Sequence, residues 1–390
     1  MTFTPLSDAD GRIRHVFFAL PAYDDEFTLP ILSCLRGIRE ALGSDVRCTI
    51  MHHPAQASAV QESLGSLGPL DIITWQHGFV LRLRDTVSKL EGRTLRITKL
   101  ALPDFTNWVQ DAFLVAIDAS GQPLIWASPR VEREYGGWDD EVVRQLTAHL
   151  GWPSAVLPFG LEAGNVLVDQ VSILLGAAVR AGATDAEWQQ LNDRVSLSPI
   201  PDPRSAIRDP QSAIRNRTVR VCVPGLPQPV FHIDLYVTLA GVHPATGRPL
   251  ALVGSIRQAL ALVGEEDSAD DTDAGLNAVA DYLVTAGYTV ERLPLLPFIN
   301  PQMKKPAHFS YNNCLVEIWR DAVGSTRRRV TLPVYGNEGG PLDALDRAAA
   351  GIWEGLGFEV KAARGEFALV AELYGSVRCM TKVLERADRM

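Results

Sequence analysis

Short apolar runs alternate with segments of helical periodicity along the chain. Runs rich in β-branched and aromatic residues predict strands, and they lie at 15–20, 113–117, 171–175, 237–240 and 329–334. Between them, apolar residues recur at helical spacing and predict helices at 28–42, 138–150, 186–195, 276–285 and 342–356. This alternation predicts an α/β protein. Because no change in composition divides the chain, we expect a single domain over residues 1–390.

Two polar segments differ from this pattern. Residues 204–216 contain a near-duplicate, Arg-Ser-Ala-Ile-Arg-Asp-Pro followed by Gln-Ser-Ala-Ile-Arg-Asn. We expect an exposed loop there, near the mouth of the functional site. Residues 265–273 carry a run of carboxylates without the glycine and terminal glutamate spacing of an EF-hand loop, and they predict a solvated acidic loop.

Composition narrows the classes of function. The net charge of −9 argues against a nucleic-acid partner, which would favour a basic surface. Five cysteines with no Cys-x-x-Cys pair predict reduced thiols and no zinc site. The sequence starts without a basic and then apolar leader, and no stretch has the roughly 18–20 apolar residues of a membrane span. We therefore expect a cytoplasmic protein with no membrane partner.

One cysteine lies within a segment suited to chemistry. Cys379 follows Gly375 and Ser376, which permit a tight turn, and it is preceded by Arg378, a cation that could lower the pKa of the thiol. A single cysteine with histidine and acidic residues elsewhere in the chain is a candidate nucleophile. A buried structural cysteine is the alternative, and it is the role we predict for the other four.

Three upstream clusters supply the other groups. On a strand, His232 and Asp234 would project from the same face, since residues i and i+2 share a side. Asp111 precedes the strand predicted from residue 113, and Glu162 lies in a glycine-containing turn. Each has an ordinary alternative: a buried His–Asp hydrogen bond, a turn residue or a solvated glutamate. Their combination with Cys379 is more specific than any one of them.

In this order and spacing, the clusters resemble the guanidine-modifying superfamily called penteins, and within it the catalytic domain of the protein-arginine deiminases. The resemblance extends from about residue 100 to the C-terminus. The motifs that carry it are Trp108-Val-Gln-Asp111, Ser128-Pro-Arg130, Phe159-Gly-Leu-Glu162, His232-Ile-Asp234 and Gly375-Ser-Val-Arg-Cys-Met-Thr381. It implies a five-fold pseudosymmetric α/β propeller of ββαβ-like modules, with the active site in the central channel.

The resemblance also implies roles. Asp111 and Asp234 would bind the planar guanidinium, Cys379 would attack its central carbon, and His232 would move protons. Glu162 matches the glutamate that orients the histidine in related deiminases. Arg130 matches an arginine that holds the peptide backbone of the substrate, with a surface arginine as the alternative. Trp108 and Asn165, from the same motifs, are expected to contact the substrate.

The departures from the family bear on substrate and cofactor. Apolar residues follow Asp111 where animal protein-arginine deiminases have calcium-binding carboxylates, so we expect no metal and no cofactor. Arg378 before Cys379 is typical of free-arginine deiminases. Gln110 replaces the arginine of agmatine deiminases, which makes agmatine the least favoured substrate. The sequence thus predicts a peptidyl-arginine deiminase, with a free-arginine or small-guanidine deiminase, or an amidinotransferase, as the alternatives.

Overall fold

A computed structural model describes the chain at residues 3–22, 25–76, 86–90, 93–97, 105–118, 120–128, 139–181, 183–194, 200–201, 214–215, 218–223, 226–265, 271–301, 304–336 and 339–388. Arg130 and most of the 204–216 duplication lie outside these residues. The predictions about a substrate-backbone contact and about a loop at the mouth therefore stay predictions.

The described residues form short strands and helices in alternation. The strands are β1 Phe3–Pro5, β2 Arg12–Leu20, β3 Arg47–His52, β4 Leu70–Thr74, β5 Thr86–Leu90, β6 Arg93–Ile97, β7 Phe113–Asp118, β8 Pro123–Ala127, β9 Ser154–Val156, β10 Val166–Val168, β11 Ser172–Leu175, β12 Ile200–Pro201, β13 Ile214–Arg215, β14 Thr218–Val221, β15 Val237–Val242, β16 Pro249–Ser255, β17 Thr289–Ile299, β18 Pro306–Ser310, β19 Leu315–Arg320, β20 Thr326–Pro333, β21 Glu359–Ala363 and β22 Lys382–Ala387. The helices are α1 Asp25–Leu42, α2 Ala57–Leu64, α3 Val109–Ala112, α4 Asp139–Leu150, α5 Ala177–Ala181, α6 Asp185–Arg194, α7 Ile256–Val263, α8 Asp271–Thr285, α9 Asp343–Gly355 and α10 Phe367–Glu372.

Five sheets of three or four strands repeat one topology within the described residues. Their orders are β1-β7-β8-β9, β10-β11-β14, β15-β16-β17-β18, β19-β20-β21 and β22-β2-β3-β4. In each, an antiparallel pair is followed by a parallel strand, as in β7-β8-β9, where Phe113 pairs with Ala127 and Ile125 with Ser154. At least one helix lies between the second and third of these strands. The ββαβ order is therefore present in these five sheets, and the last of them joins the two ends of the chain.

The sequence pattern predicted these elements well. Each predicted strand overlaps an observed one, namely β2, β7, β11, β15 and β20, and each predicted helix overlaps α1, α4, α6, α8 or α9. The acidic segment was predicted wrongly in part. Asp271 and Asp273 form the first turn of α8, and Asp273 is buried. Carboxylates are favourable there because the helix dipole presents its positive end.

Apolar residues from neighbouring modules form four buried clusters. The largest packs α1 and α9 against β2, β3 and β20, and it includes Leu35, Ile50 and Trp353. A second surrounds β15 and β16 and reaches Cys379. No helix in the described part of the chain combines the length and the apolar character that a bilayer crossing needs.

Candidate active site

The segments that precede the first strand of each ββαβ module meet at one polar centre. Asp111 lies just before β7, Glu162 before β10, Asp234 before β15, Asn313 before β19 and Cys379 before β22. Cys379 contacts Asn313 and Asp234, and His232 pairs with both Asp111 and Glu162. Equivalent positions in five modules therefore converge, which explains how residues far apart in sequence share one site.

Cys379 is buried and held by an asparagine. The backbone N–H of Cys379 donates to Asn313 Oδ1 at 3.0 Å, and Asn313 Nδ2 donates to Cys379 Sγ at 3.1 Å. The Sγ atom lies 3.9 Å from Asp234 Oδ2, and the cysteine is 3% exposed. The backbone N–H of Gln110 also donates to the carbonyl of Cys379 at 3.3 Å. The sulfur thus has one fixed position next to a carboxylate.

The expectation that Arg378 lowers the pKa of this thiol is wrong. Burial raises the pKa of Cys379 well above its ordinary value, and the carboxylates of Asp234 and Asp111 raise it further. The hydrogen bond from Asn313 opposes this shift without reversing it. The guanidinium of Arg378 is directed to two carboxylates instead. In the absence of an added cation, the site holds a protonated thiol.

His232 is paired with carboxylates on both sides of its ring. Its Nε2 lies 2.6 Å from Glu162 Oε2, and its Nδ1 lies 3.6 Å from Asp111 Oδ1. Burial lowers the pKa of His232, but the charges of Asp111, Asp234 and Glu162 and the hydrogen bond with Glu162 outweigh it, raising the pKa to about 9. The ring is therefore an imidazolium at neutral pH, able to donate a proton.

The strand predicted for His232 and Asp234 is absent. His232 has extended backbone angles, but Ile233–Leu235 form a 3₁₀ turn, closed by hydrogen bonds from Leu235 N to His232 O and from Tyr236 N to Ile233 O. Strand β15 starts only at Val237. Because the turn redirects the chain, both side chains still reach the same site, with His232 near Glu162 and Asp234 near Cys379.

Gly164 allows Asp111 and His232 to lie close to the backbone. A Cβ atom at this position would lie 2.6 Å from Asp111 Oδ1 and 2.6 Å from His232 Nδ1. The backbone N–H of Gly164 donates to the same Asp111 oxygen at 3.0 Å. A side chain is excluded here because it would push the carboxylate and the imidazole apart.

Asp234 is fully buried, and among the described residues only one of its two carboxylate oxygens is hydrogen-bonded. Its Oδ2 accepts from Arg378 at 2.9 Å, whereas Oδ1 has no hydrogen-bond partner among the described residues. Arg378 donates its other nitrogen to Asp8 Oδ1 at 2.7 Å and to the carbonyl of Val166 at 3.2 Å. Burial raises the pKa of Asp234, while the charges of Arg378 and His232 lower it.

A buried lysine lies next to this ion pair. Lys382 Nζ donates to the backbone and side-chain oxygens of Gln110 at 3.2 and 3.3 Å and lies 5.0 Å from the ring centre of Phe113. Burial, followed by the charge of Arg378, lowers the pKa of Lys382 to about 7. Asp8, Gln110, Arg378 and Lys382 line a cavity of about 40 Å³.

Trp108 and Asn165, the two other residues predicted to contact the substrate, have packing and hydrogen-bonding partners within the protein. Trp108 is partly buried between two apolar clusters, and its ring packs so tightly on Gly375 that a Cβ there would lie 2.3 Å away. Asn165 Oδ1 accepts from the backbone of Ile233 at 3.2 Å and from Gln228 at 2.9 Å. Asn165 thus fixes the segment that carries His232. Arg130 lies outside the described residues.

Sequence reasoning missed Asn313, Asp8 and Lys382. Asn313 could have been found from its place just before an apolar run, the place occupied by the other candidate residues in their own modules. Asp8 gave no signal, since it contacts a residue 370 positions away. No group of three or more His, Cys, Asp or Glu in the described part of the chain is arranged to hold a metal ion.

Solved structures named as agmatine deiminases, one of them as a candidate, are similar in fold to this chain. A structural-genomics target named as a candidate agmatine deiminase has a TM-score of 0.63 at 15% identity and covers 100% of this chain and 96% of its own. The agmatine deiminase of C. jejuni gives 0.61 at 11%, covering 100% and 98%. That of Enterococcus faecalis gives 0.61 at 13%, covering 99% and 96%.

These similarities establish the fold. The chain has a mixed α/β fold similar to that of the solved agmatine deiminases, so the predicted α/β fold class is confirmed. No family model matches the chain. No curated protein sequence matches it either.

Proposed function

We propose that this protein is a deiminase that hydrolyses a small guanidine to a ureido product and ammonia. The observation that carries the proposal is the arrangement around Cys379. A buried thiol lies 3.9 Å from the carboxylate of Asp234, and an imidazolium is held between Asp111 and Glu162 in the same site. These are the groups that nucleophilic attack on a protonated guanidinium requires.

Binding comes first in the proposed mechanism. A guanidinium remains protonated at any working pH and offers its donors as a planar fork. Asp234 Oδ1, which has no hydrogen-bond partner among the described residues, and the Asp111 carboxylate would accept from it. The cation then offsets the carboxylate charges that raise the pKa of Cys379. Substrate thus favours the thiolate, and the thiol proton leaves to solvent.

Chemistry follows in two steps. The thiolate of Cys379 forms a C–S bond to the central carbon, a C–N bond breaks, and the proton of the His232 imidazolium goes to the departing nitrogen, which leaves as ammonia. Neutral His232 then takes a proton from water as the oxygen attacks the thiouronium carbon. The C–S bond breaks, the second water proton leaves the ureido product to solvent, and the thiolate and the His232 imidazolium are restored. We assign Glu162 and Asn165 to positioning His232.

The substrate is the point on which the proposal departs from the sequence prediction. The solved structures with this fold are named agmatine deiminases, which favours a small guanidine over peptidyl-arginine. Gln110, which made agmatine the least favoured substrate in the sequence prediction, is also a weaker argument against agmatine. Its side chain accepts from Lys382 and donates to the carbonyl of Ala163 at 3.3 Å, so it ties two site segments together. Gln110 therefore has a structural reason to be present that is independent of the substrate.

The arrangement of modules belongs to the same proposal. We infer that the five ββαβ modules form a single propeller-like domain over residues 1–390. Sheet β22-β2-β3-β4 supports this inference, because it joins the last module to the first through β2 and β22, with Val16 opposite Val383.

The decisive experiment is a turnover assay on agmatine, free L-arginine and an acylated arginyl peptide, with ammonia and ureido product measured. We expect turnover of at least one free guanidine, unaffected by a calcium chelator, and none by Cys379→Ser. Turnover of the peptide alone would restore the peptidyl-arginine interpretation. Product only after addition of an amine acceptor would indicate an amidinotransferase. Activity in Cys379→Ser would overturn the mechanism.

A further inference from the structure

The second guanidinium of the site belongs to the protein itself. Arg378 donates to Asp234 Oδ2 at 2.9 Å, the carboxylate that we propose for the substrate guanidinium. An internal guanidinium is thus bound where the substrate would also bind. Since Arg378 is 6% exposed, water does not weaken this competition.

Asp8 limits how many hydrogen bonds Arg378 can donate to Asp234. The other terminal nitrogen of Arg378 donates to Asp8 Oδ1 at 2.7 Å, so the two nitrogens point to different carboxylates. With both nitrogens on Asp234, the fork would fill both of its oxygens. The observed geometry leaves Asp234 Oδ1 without a hydrogen-bond partner among the described residues.

Asp8 itself is fixed in place. Its Oδ2 accepts from the backbone N–H of Val168 at 2.6 Å, and its own N–H donates to the carbonyl of Val168 at 2.7 Å. Arg378 also donates to the carbonyl of Val166 on the same strand, β10. The position of Asp8 relative to Arg378 is therefore set by β10, independently of Asp234.

From this geometry we propose that Asp8 is a positioning residue for substrate binding, which holds Arg378 away from Asp234 Oδ1 and leaves that oxygen for an incoming guanidinium. The role rests on the proposed function, because it takes the substrate to be a guanidinium. Arg378 keeps one bond to Asp234, which supports the buried carboxylate. Asp8 thereby divides the charge of Arg378 between two carboxylates, and the three groups together retain one negative charge for the substrate.

The test measures equilibrium binding without turnover. Agmatine and L-arginine are titrated calorimetrically into the Cys379→Ala protein, alone and with Asp8→Asn added. We expect Asp8→Asn to raise the Kd by about tenfold or more, in line with coupling inside one ion-pair network. Asp321→Asn, which removes a carboxylate paired with Arg327 in the turn between β19 and β20, is the control and should leave Kd unchanged.

A double-mutant cycle separates positioning from general structural support. Once Arg378→Gln has removed the internal guanidinium, adding Asp8→Asn should change Kd by less than about twofold. A purely structural role for Asp8 would weaken binding equally in both backgrounds, and that result overturns the proposal. If the Arg378→Gln protein does not fold, the comparison of Asp8→Asn with Asp321→Asn decides.

Hydrolysis and binding measurements together distinguish failure of the proposed deiminase function from failure of the proposed role of Asp8. Guanidine binding that depends on Asp8, in a protein whose wild type hydrolyses no guanidine, supports the role of Asp8 and contradicts the deiminase. Hydrolysis by the wild type, together with a Kd that Asp8→Asn does not change, supports the deiminase and contradicts the role of Asp8. Absence of any binding of agmatine and L-arginine overturns the role of Asp8.

Discussion

The two sides of Cys379 are built from the same kinds of residue but differ in exposure. On the acid–base side, formed by His232, Glu162 and Asp111, the Glu162 side chain is 36% exposed. On the ion-pair side, formed by Asp8, Arg378 and Asp234, the Asp234 side chain is fully buried. Each side places a cation between carboxylates, yet the protonation chemistry differs.

Exposure and charge balance explain the difference. On the acid–base side, the charges of Asp111 and Glu162, together with that of Asp234 from the ion-pair side, outweigh burial and raise the pKa of His232 to about 9. On the ion-pair side, burial raises the pKa of Asp234, and only a partner cation makes its charged form favourable. The first side therefore stores a proton, whereas the second has affinity for a positive ligand. We therefore assign proton transfer to His232 on the acid–base side, and substrate binding to Asp234 on the ion-pair side together with Asp111.

The largest effect should come from removing the charge on the ion-pair side. Asp234→Asn is expected to reduce kcat/KM by about 10³ or more, since a buried charged hydrogen bond to the substrate is lost. Steady-state kinetics on the best guanidine measures this, with circular dichroism as the check on folding. Loss below about tenfold in a folded protein would mean that Asp234 does not bind the substrate.

A smaller loss should follow from separating two members of the acid–base side sterically. Gly164→Ala places a methyl group 2.6 Å from both Asp111 Oδ1 and His232 Nδ1, so we expect a loss in kcat of about 10², because small misplacements are costly at an active site. The control is Gly351→Ala in α9, where an added Cβ meets nothing within 4 Å.

The control variant is expected to stabilise the protein. Gly351→Ala should retain full activity and raise the free energy of unfolding by up to about 1 kcal/mol, since alanine favours a helix over glycine. Equal activity in the two variants would show that the Asp111–His232 spacing is not critical.

Motif composition was enough to predict the chemical groups. Cys379, His232 and Glu162 were identified from the residue types that guanidine chemistry needs, and the structure brings them to one centre together with Asp111 and Asp234. The alternation of strands and helices could also be predicted, because the apolar runs that make strands are local in sequence, whereas the ββαβ modules were expected only from the family resemblance. The local sequence pattern was therefore enough to predict most of the secondary-structure elements and the candidate nucleophile.

What could not be predicted depends on long-range contacts. Arg378 was expected to act on Cys379, its neighbour in sequence, but it pairs with Asp8 and Asp234, which lie 370 and 144 positions away. The same holds for Asn313, which contacts the sulfur from another module. Burial and charge from remote segments set a pKa, and one sequence without its fold contains neither quantity.

A moderate effect is expected from neutralising the exposed carboxylate of the acid–base side. Glu162→Gln removes a charge and a hydrogen bond that raise the pKa of His232, so the alkaline limb of kcat/KM should move to lower pH by about one unit. The pH profile of the variant is compared with that of wild type at matched ionic strength. An unchanged limb would exclude His232 as the titrating group.

The smallest effect concerns stability rather than rate, and it isolates the acid–base side. The pKa of His232 is raised from 6.5 to about 9 by folding, so the folded state holds this proton more tightly than the unfolded chain. Its contribution is fully present below pH 6.5 and is lost as the pH rises through about 9. Denaturant unfolding of wild type and His232→Gln is measured from pH 6 to pH 10. The difference in unfolding free energy should shrink by on the order of 3 kcal/mol over this range.

Lys382 titrates in an overlapping range, since burial lowers its pKa to about 7. Because Lys382 is present in both proteins, its contribution cancels from the difference unless the two groups are coupled. A difference that stays flat or grows with pH would show that the carboxylates around His232 do not hold its proton, and the acid–base side would then lose its distinction from the ion-pair side.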